Sequence, residues 1–293
     1  MPLYRQFSTQ DELDDEYDTE RTVTTPEGLI ALRAGRAEVN RTVLASPSRQ
    51  ANVHYGPTLA ERCDIYPAAK PKAPILVYMH GGYWSDVRPT KETLGWISTG
   101  PRHHGITTLV LDYALCPSVT IDEVVRQCRA AVAWAYRNAE TFGGDRDRIY
   151  VTGNSAGGHL TAMIALTDWV GTYGLPPHVV KGGCPFSGLY DLTPLRYTWL
   201  QPKLQLTGEQ IGRCSPMFCI RPNAPSLLVV WGADETKEFW RQSETFHKLY
   251  VEAGNSATLY PVEGRDHYSV LSGWREPDSP QLRRILDHMA SCW

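Results

Sequence analysis

No stretch of the 293 residues approaches the ~18 consecutive apolar positions of a membrane-spanning helix, which argues against a helical membrane protein. Basic residues are not in excess either. Lys and Arg number 29 against 32 Asp and Glu, a formal net charge of −3, so no electrostatic footprint for nucleic acid is present. The cysteines, at positions 63, 116, 128, 184, 214, 219 and 292, are seven in number and never form a CxxC pair. An odd, scattered set of this kind builds neither a disulfide framework nor a zinc ribbon and reads as reduced thiols packed as small core residues. Internal repeats, low-complexity tracts and interdomain linkers are also lacking, which argues against a solenoid and for one folded body. The amino terminus, MPLYRQFSTQDELDDEYDTE, is acidic and has no apolar run. It fits neither a secretory signal nor a transit peptide, and the expected location is cytoplasmic.

What is present is alternation. The runs ILVYM (75–79), ITTLVLDY (106–113), IYVTG (149–153), VVKGGCPFSG (179–188), LLVVWG (227–232) and ATLYPVEG (257–264) are rich in β-branched and aromatic residues and end at turn residues, as buried strands do. Helical patterns lie between them, at 122–140, 157–169, 236–253 and 279–290; in the first, Val125, Cys128, Val132 and Ala135 share one stripe. Strand and helix alternating over this length predict a mostly parallel central sheet with right-handed crossovers and helices on both faces. CDIYP (63–67) is expected as an earlier, antiparallel edge strand. Among the acidic residues of the first segment, Leu13 and Tyr17 stand four apart, which fits a short amphipathic helix laid on the body or an acidic docking arm. The segment 189–223, rich in Pro and aromatics, covers a pocket as a lid or runs as a long surface excursion.

In an open parallel sheet, ligands bind beyond the carboxyl ends of the strands. Four loops leaving such ends carry chemistry. GNSAG (Gly153 to Gly157) follows a strand and precedes an apolar helix, the setting of a nucleophile elbow, which lifts Ser155 Oγ clear of the backbone. The helix amino terminus beneath it supplies positive potential and free N–H groups, that of Ala156 among them. HGGYW (His80 to Trp84) is a second donor loop whose glycines let main-chain N–H groups approach a substrate oxygen; His80 itself reads as a brace for that loop. WGADE (231–235) offers a carboxylate to orient a histidine. Asp234 is the choice there, with Glu235 as the alternative. GRDHYS (264–269) places His267 after the last strand. The order Ser155, Asp234, His267 is that of the α/β-hydrolase arrangement.

Other polar residues have simpler readings. His103 and His104 are expected at a helix end, His159 as a buried hydrogen-bonded residue, and Asp112 and Asp122 as helix caps. Asp191 follows the wrong strand to serve as the acid. Trp84, Tyr190, Trp199 and Tyr268 are the aromatic residues offered as pocket lining, with Tyr197 beside them.

HGGYW with GNSAGGHL, the loop DETKEFWRQS and the GRDHYS histidine together resemble the arylformamidase (kynurenine formamidase) branch of the α/β-hydrolase superfamily, near the hormone-sensitive-lipase-like esterases. The resemblance covers about residues 60 to 290 and extends to the opening ELDDEYDTER. It implies an α/β-hydrolase fold with residues 1–60 as an amino-terminal arm or cap packed on the body and 61–293 as the hydrolase domain. It also implies oxyanion donors at the main-chain N–H groups of Gly82 and Tyr83, and a triad on Ser155, Asp234 and His267. Asn154 stands where such relatives more often carry His or Asp. The expected activity is hydrolysis of a formamide or small ester of an aromatic compound through an acyl-enzyme, with N-formyl-L-kynurenine yielding formate and kynurenine as the implied reaction. A carboxylesterase or amidase with another natural substrate is the alternative, and a non-catalytic ligand receptor on this scaffold is a reading of another class. Neither cofactor nor metal is expected. The partner is a small aromatic amide or ester rather than nucleic acid or membrane, and a homodimer is left open.

Overall fold

A computed structural model describes residues 2–23 and 26–293, with Pro26 described by its backbone alone. Eight strands form one sheet in the order β1-β2-β4-β3-β5-β6-β7-β8. They are β1 Gln50–His54, β2 Arg62–Tyr66, β3 Ala73–Met79, β4 Thr107–Leu111, β5 Gly144–Asn154, β6 Val180–Phe186, β7 Ser226–Gly232 and β8 Ala257–Val262. β1 and β2 pair antiparallel, as do β2 and β4, and every remaining neighbour is parallel. This is the mostly parallel sheet expected from the alternation, in the α/β-hydrolase fold that the resemblance implies.

Two details differ from the sequence reading. β2 is antiparallel but not the edge strand, because β1 pairs outside it. The sheet therefore starts within the segment 1–60, and residues 50–54 belong to the hydrolase body rather than to an arm. QANVH is exposed at four of its five positions, so no alternating apolar pattern marks it as a strand.

The helices follow the crossovers. α1 (Gln10–Tyr17) and α2 (Pro26–Leu44) precede the sheet; short α3 (Lys91–Leu94) and α4 (Thr99–His103) lie between β3 and β4; α5 (Ile121–Asn138) joins β4 to β5. α6 (Ala156–Ala165) and α7 (Trp169–Tyr173) connect β5 to β6, α8 (Gln201–Leu204) and α9 (Gly208–Cys214) lie between β6 and β7, α10 (Lys237–Glu252) joins β7 to β8, and α11 (Pro280–Ala290) closes the chain. The stripe of Val125, Cys128, Val132 and Ala135 is buried against one face of the sheet. Phe186, Val230 and Leu228 pack with Trp274, Leu282 and Ile285 on the other. No helix among the described residues is long and apolar enough to cross a membrane.

α1 is short, and local propensity alone does not hold a helix of this length in water. It has a capping box, Thr9 with Glu12, and it buries Leu13 and Tyr17. Its docking is polar as well as apolar. Tyr17 Oη donates to the buried Glu238 carboxylate at 2.9 Å and accepts from Gln242 Nε2 at 2.9 Å, while Arg241 grips both oxygens of Glu238 at 2.7 Å. The Glu16 carboxylate accepts the Glu238 N–H at 3.0 Å, at the first turn of α10. Every oxygen of the buried Glu238 charge thus has a donor, which is the condition for keeping such a group inside. Tyr17→Phe strips one donor from that carboxylate and one acceptor from Gln242. A loss of about 1–3 kcal/mol in unfolding free energy is expected, read from urea unfolding; an unchanged midpoint would show that α1 is not held this way.

Candidate active site

Ser155 sits between β5 and α6 with φ 60° and ψ −118°, a left-handed backbone that a side chain adopts only under constraint. Its N–H donates to Phe186 O at 2.8 Å, which ties the turn to the end of β6. The turn is tight because β3 lies directly behind it: a Cβ at Gly153 or Gly157 would run into the Met79 carbonyl oxygen. GNSAG is thus the strained strand-to-helix turn its context predicts, and Ala156 opens α6 immediately after the serine.

The HGGYW loop lies against this elbow. A Cβ at Gly81 would come within 3.2 Å of Ser155 Cβ. Gly82, Tyr83 and Trp84 all have positive φ, at 105°, 47° and 54°. The Gly82 carbonyl turns away to accept from the N–H groups of Ser85 and Asp86. Tyr83 Oη donates to Tyr17 O at 2.6 Å, fastening the loop to the end of α1. His80 is buried, bonded through Nδ1 to Gly81 O at 2.7 Å and stacked on Tyr113 at 4.1 Å, so it braces the loop.

His267 Nδ1 lies 2.7 Å from the Glu235 carboxylate, and both side chains are buried. Asp234, the residue favoured from sequence, is exposed and does not meet the histidine. The reason lies in the turn after β7. Asp234 N–H bonds Arg265 O at 3.0 Å and Glu235 N–H bonds Gly232 O at 3.1 Å, which turns the first side chain outward and the second inward. The longer glutamate then folds back over the strand end. Its Oε1 accepts from Gly232 N–H at 2.7 Å and from Ser187 Oγ at 2.5 Å, leaving Oε2 for His267. Three donors satisfy this buried carboxylate. Ser187, just beyond β6 at φ 46°, was not singled out from the sequence; the only trace of it is the SG that closes VVKGGCPFSG. In the neutral imidazole, an Nδ1 bonded to a carboxylate is the nitrogen that bears the hydrogen, which leaves Nε2 as the acceptor.

Ser155 and His267 share the wall of one cavity of about 1060 Å³, with Gly81, Gly82, Tyr83 and Asn154 beside them. Trp199 and Tyr268 line it as expected. Trp84 and Tyr190 do not: Trp84 is core, edge-on to His159 at 4.8 Å, and Tyr190 is core, stacked on Phe246 at 4.2 Å. The insert 189–223 is packed inward over 189–195 and exposed at much of the rest, and its Trp199, Leu200 and Lys203 form part of the cavity wall. α1 and α2 supply much of the rest, through Tyr17, Arg33, Arg36 and Asn40. Trp199 N–H donates to Asp14 and Tyr4 Oη to Asp191, so the insert and the amino-terminal segment are joined to each other.

The other polar residues are structural. His159 is buried and bonded to Cys214 O at 2.7 Å; His103 and His104 stand at the end of α4. Asp122 is not a cap, since Thr120 holds that position; it pairs instead with Arg213 and Gln210 of α9. Asp112 accepts the first N–H of α3 from Lys91 at 2.8 Å. Asn154 Nδ2 is enclosed with no partner among the described residues.

Burial pushes His80 and His159 from the ordinary value of 6.5 down to about 4. The unfolded chain therefore binds more protons between these values, and stability is complete above pH 6.5 and lost as pH falls toward 4. Each histidine contributes on the order of 3 kcal/mol to that loss at full extent. Urea unfolding at a series of pH values is expected to show the decline, and His159→Gln to show a shallower one; equal slopes for the two proteins would contradict the assignment.

A BD-FAE family model matches residues 63–250. Kynurenine formamidase from Salmo salar is 31% identical over 246 residues, covering 81% of this chain and 81% of that protein. Esterase LipC from Mycobacterium tuberculosis is 34% identical over 279 residues, covering 86% of this chain and 65% of that protein. The crystal structure of EstE1, a carboxylesterase cloned from a metagenomic library, has a TM-score of 0.67 at 22% identity, covering 92% of this chain and 96% of that one, a likeness of fold.

Proposed function

The chain belongs to the BD-FAE family and to the kynurenine formamidase group of α/β-hydrolases, and on that premise we propose that Ser155, His267 and Glu235 form a triad that hydrolyses a formamide or small ester of an aromatic compound. The observation that carries this reading is the 2.7 Å bond that joins Glu235 to His267, which lines the same cavity as the strained Ser155 turn. With Nδ1 bonded to the carboxylate, Nε2 takes the Ser155 proton as Oγ attacks the substrate carbonyl. The main-chain N–H groups of Gly82, Tyr83 and Ala156 receive the oxyanion. As the tetrahedral intermediate collapses, His267 gives the proton to the departing amine or alcohol. Water, deprotonated by the same histidine, then releases the acyl group and restores Ser155.

The substrate reading follows the family. The kynurenine formamidase relative aligns along most of its length, and aromatic rings at Tyr83, Trp199, Tyr268 and Trp96 give the cavity flat apolar walls for an aryl leaving group. N-formyl-L-kynurenine, giving formate and kynurenine, is the substrate proposed. The 34% identity to esterase LipC favours a second reading, a carboxylesterase with another natural substrate.

Ser155→Ala is expected to lower turnover about a millionfold, with loss of fluorophosphonate labelling; a variant that keeps most of its activity would remove the triad. Comparing kcat/KM on N-formyl-L-kynurenine and on p-nitrophenyl acetate separates the two substrate readings. The formamide is expected to be preferred, and a strong preference for the ester would overturn the formamidase reading while leaving the triad in place.

A further inference from the structure

The cavity wall is electrostatically unbalanced. Five cationic side chains, Arg33, Arg36, Arg41, Arg88 and Lys203, line it against the three carboxylates of Asp18, Glu20 and Asp86. Two of the cations are compensated: Arg33 pairs with Glu20 at 3.3 Å and Arg88 with Asp86 at 2.6 Å. Arg41 and Lys203 are exposed to water. Arg36, on α2, is different. It is half-buried, its Nε is enclosed with no partner among the described residues, and no carboxylate of the described residues forms an ion pair with it. Asp266 acts on it through space without an ion pair, and its Oδ1 accepts from the N–H groups of Tyr268 and Ser269 and from Ser269 Oγ.

The guanidinium is nonetheless fixed in place. It lies 4.6 Å over the Trp96 ring, and Nη2 donates at 2.5 Å to the carbonyl of Tyr268, the residue after His267. Burial, with Arg275 and Arg33 nearby, lowers its pKa to about 10, so it remains charged at neutral pH. A partly buried cation with no ion-pair partner among the described residues retains an unmet demand for a negatively charged acceptor. One guanidinium matches one singly charged, planar acceptor, and a carboxylate suits it best.

We propose that Arg36 is the specificity residue for substrate charge: it receives a carboxylate borne by the non-acyl part of the substrate, so that acyl-arenes carrying an anionic side chain are selected over their neutral isosteres. This rests on the reading that Ser155 hydrolyses an acyl-arene in the same cavity. Residue 36 lies outside the segment 63–250 matched by the family model, so the selector is supplied by the amino-terminal segment. A purely structural role competes with it, in which Arg36 holds the Tyr268 carbonyl and through it the histidine loop. That role would affect charged and neutral substrates alike.

The test uses the full chain and two matched pairs: 3-(4-formamidophenyl)propanoate with its primary amide, and 3-(4-acetoxyphenyl)propanoate with its primary amide. The wild-type enzyme is expected to prefer the carboxylate member of each pair by on the order of 10- to 100-fold in kcat/KM, mainly through KM, the range set by a charged hydrogen bond. Arg36→Gln is expected to bring that ratio close to one, and Arg36→Lys to retain part of it. A wild-type ratio near or below one overturns the proposal without any variant. So does an Arg36→Gln protein in which both members slow equally and the ratio stays. If the formamides are not turned over, the formamidase reading fails and the acetate pair decides the charge assignment by itself.

Discussion

The hydrogen bond from His267 to Glu235 is the interaction on which the site depends. An imidazole on a surface loop is ordinarily a weak and poorly aimed base. Here its Nδ1 is committed to a buried carboxylate that is itself fixed by Ser187 and by the Gly232 N–H. β6 is the element that couples the parts. Phe186 at its end accepts the Ser155 N–H, and Ser187, one residue on, holds the Glu235 carboxylate. A shift of this strand end would move the proposed nucleophile and the proposed acid together, which is why parallel pairing of β5, β6, β7 and β8 matters more to the chemistry than any single loop.

The opposite wall is built from segments that are not part of the parallel sheet. α1 is locked to α10 through Tyr17 and Glu238, and the same tyrosine's carbonyl receives Tyr83 Oη from the donor loop. The amino-terminal segment is thereby joined to the loop proposed to hold the oxyanion, and α2 adds the guanidinium of Arg36 above the histidine loop. Binding surface and chemical groups thus come from different parts of the chain, as in many enzymes whose scaffold is shared and whose substrate is not.

Much of this was legible in the sequence for a physical reason. Strands buried on both faces must be nearly continuous runs of β-branched residues, and crossover helices must carry an apolar stripe, so the alternation shows. Ser155 and His267 were legible because elbow and loop have fixed places in chain order. The choice between Asp234 and Glu235 was not. Two adjacent carboxylates on one turn differ only in direction, and direction is set by the bond from Asp234 N–H to Arg265 O, a contact 31 residues distant in the chain. Trp84 and Tyr190 failed for a related reason, since an aromatic beside a motif packs into core or cavity according to neighbours such as His159 and Phe246. α2 escaped notice because few of its positions, Leu29, Asn40 and Val43 among them, are buried, leaving a sparse pattern.

The central claim is that Glu235, through His267, activates Ser155. The most direct measurement is the second-order rate constant for phosphonylation of Ser155 by a fluorophosphonate, followed by intact-protein mass, in the wild type, Glu235→Gln and Asp234→Asn. The account predicts labelling of Asp234→Asn at close to the wild-type rate and a fall approaching the ~10⁴-fold seen when a triad acid becomes an amide for Glu235→Gln. Slow labelling of Asp234→Asn beside a wild-type rate for Glu235→Gln would contradict it.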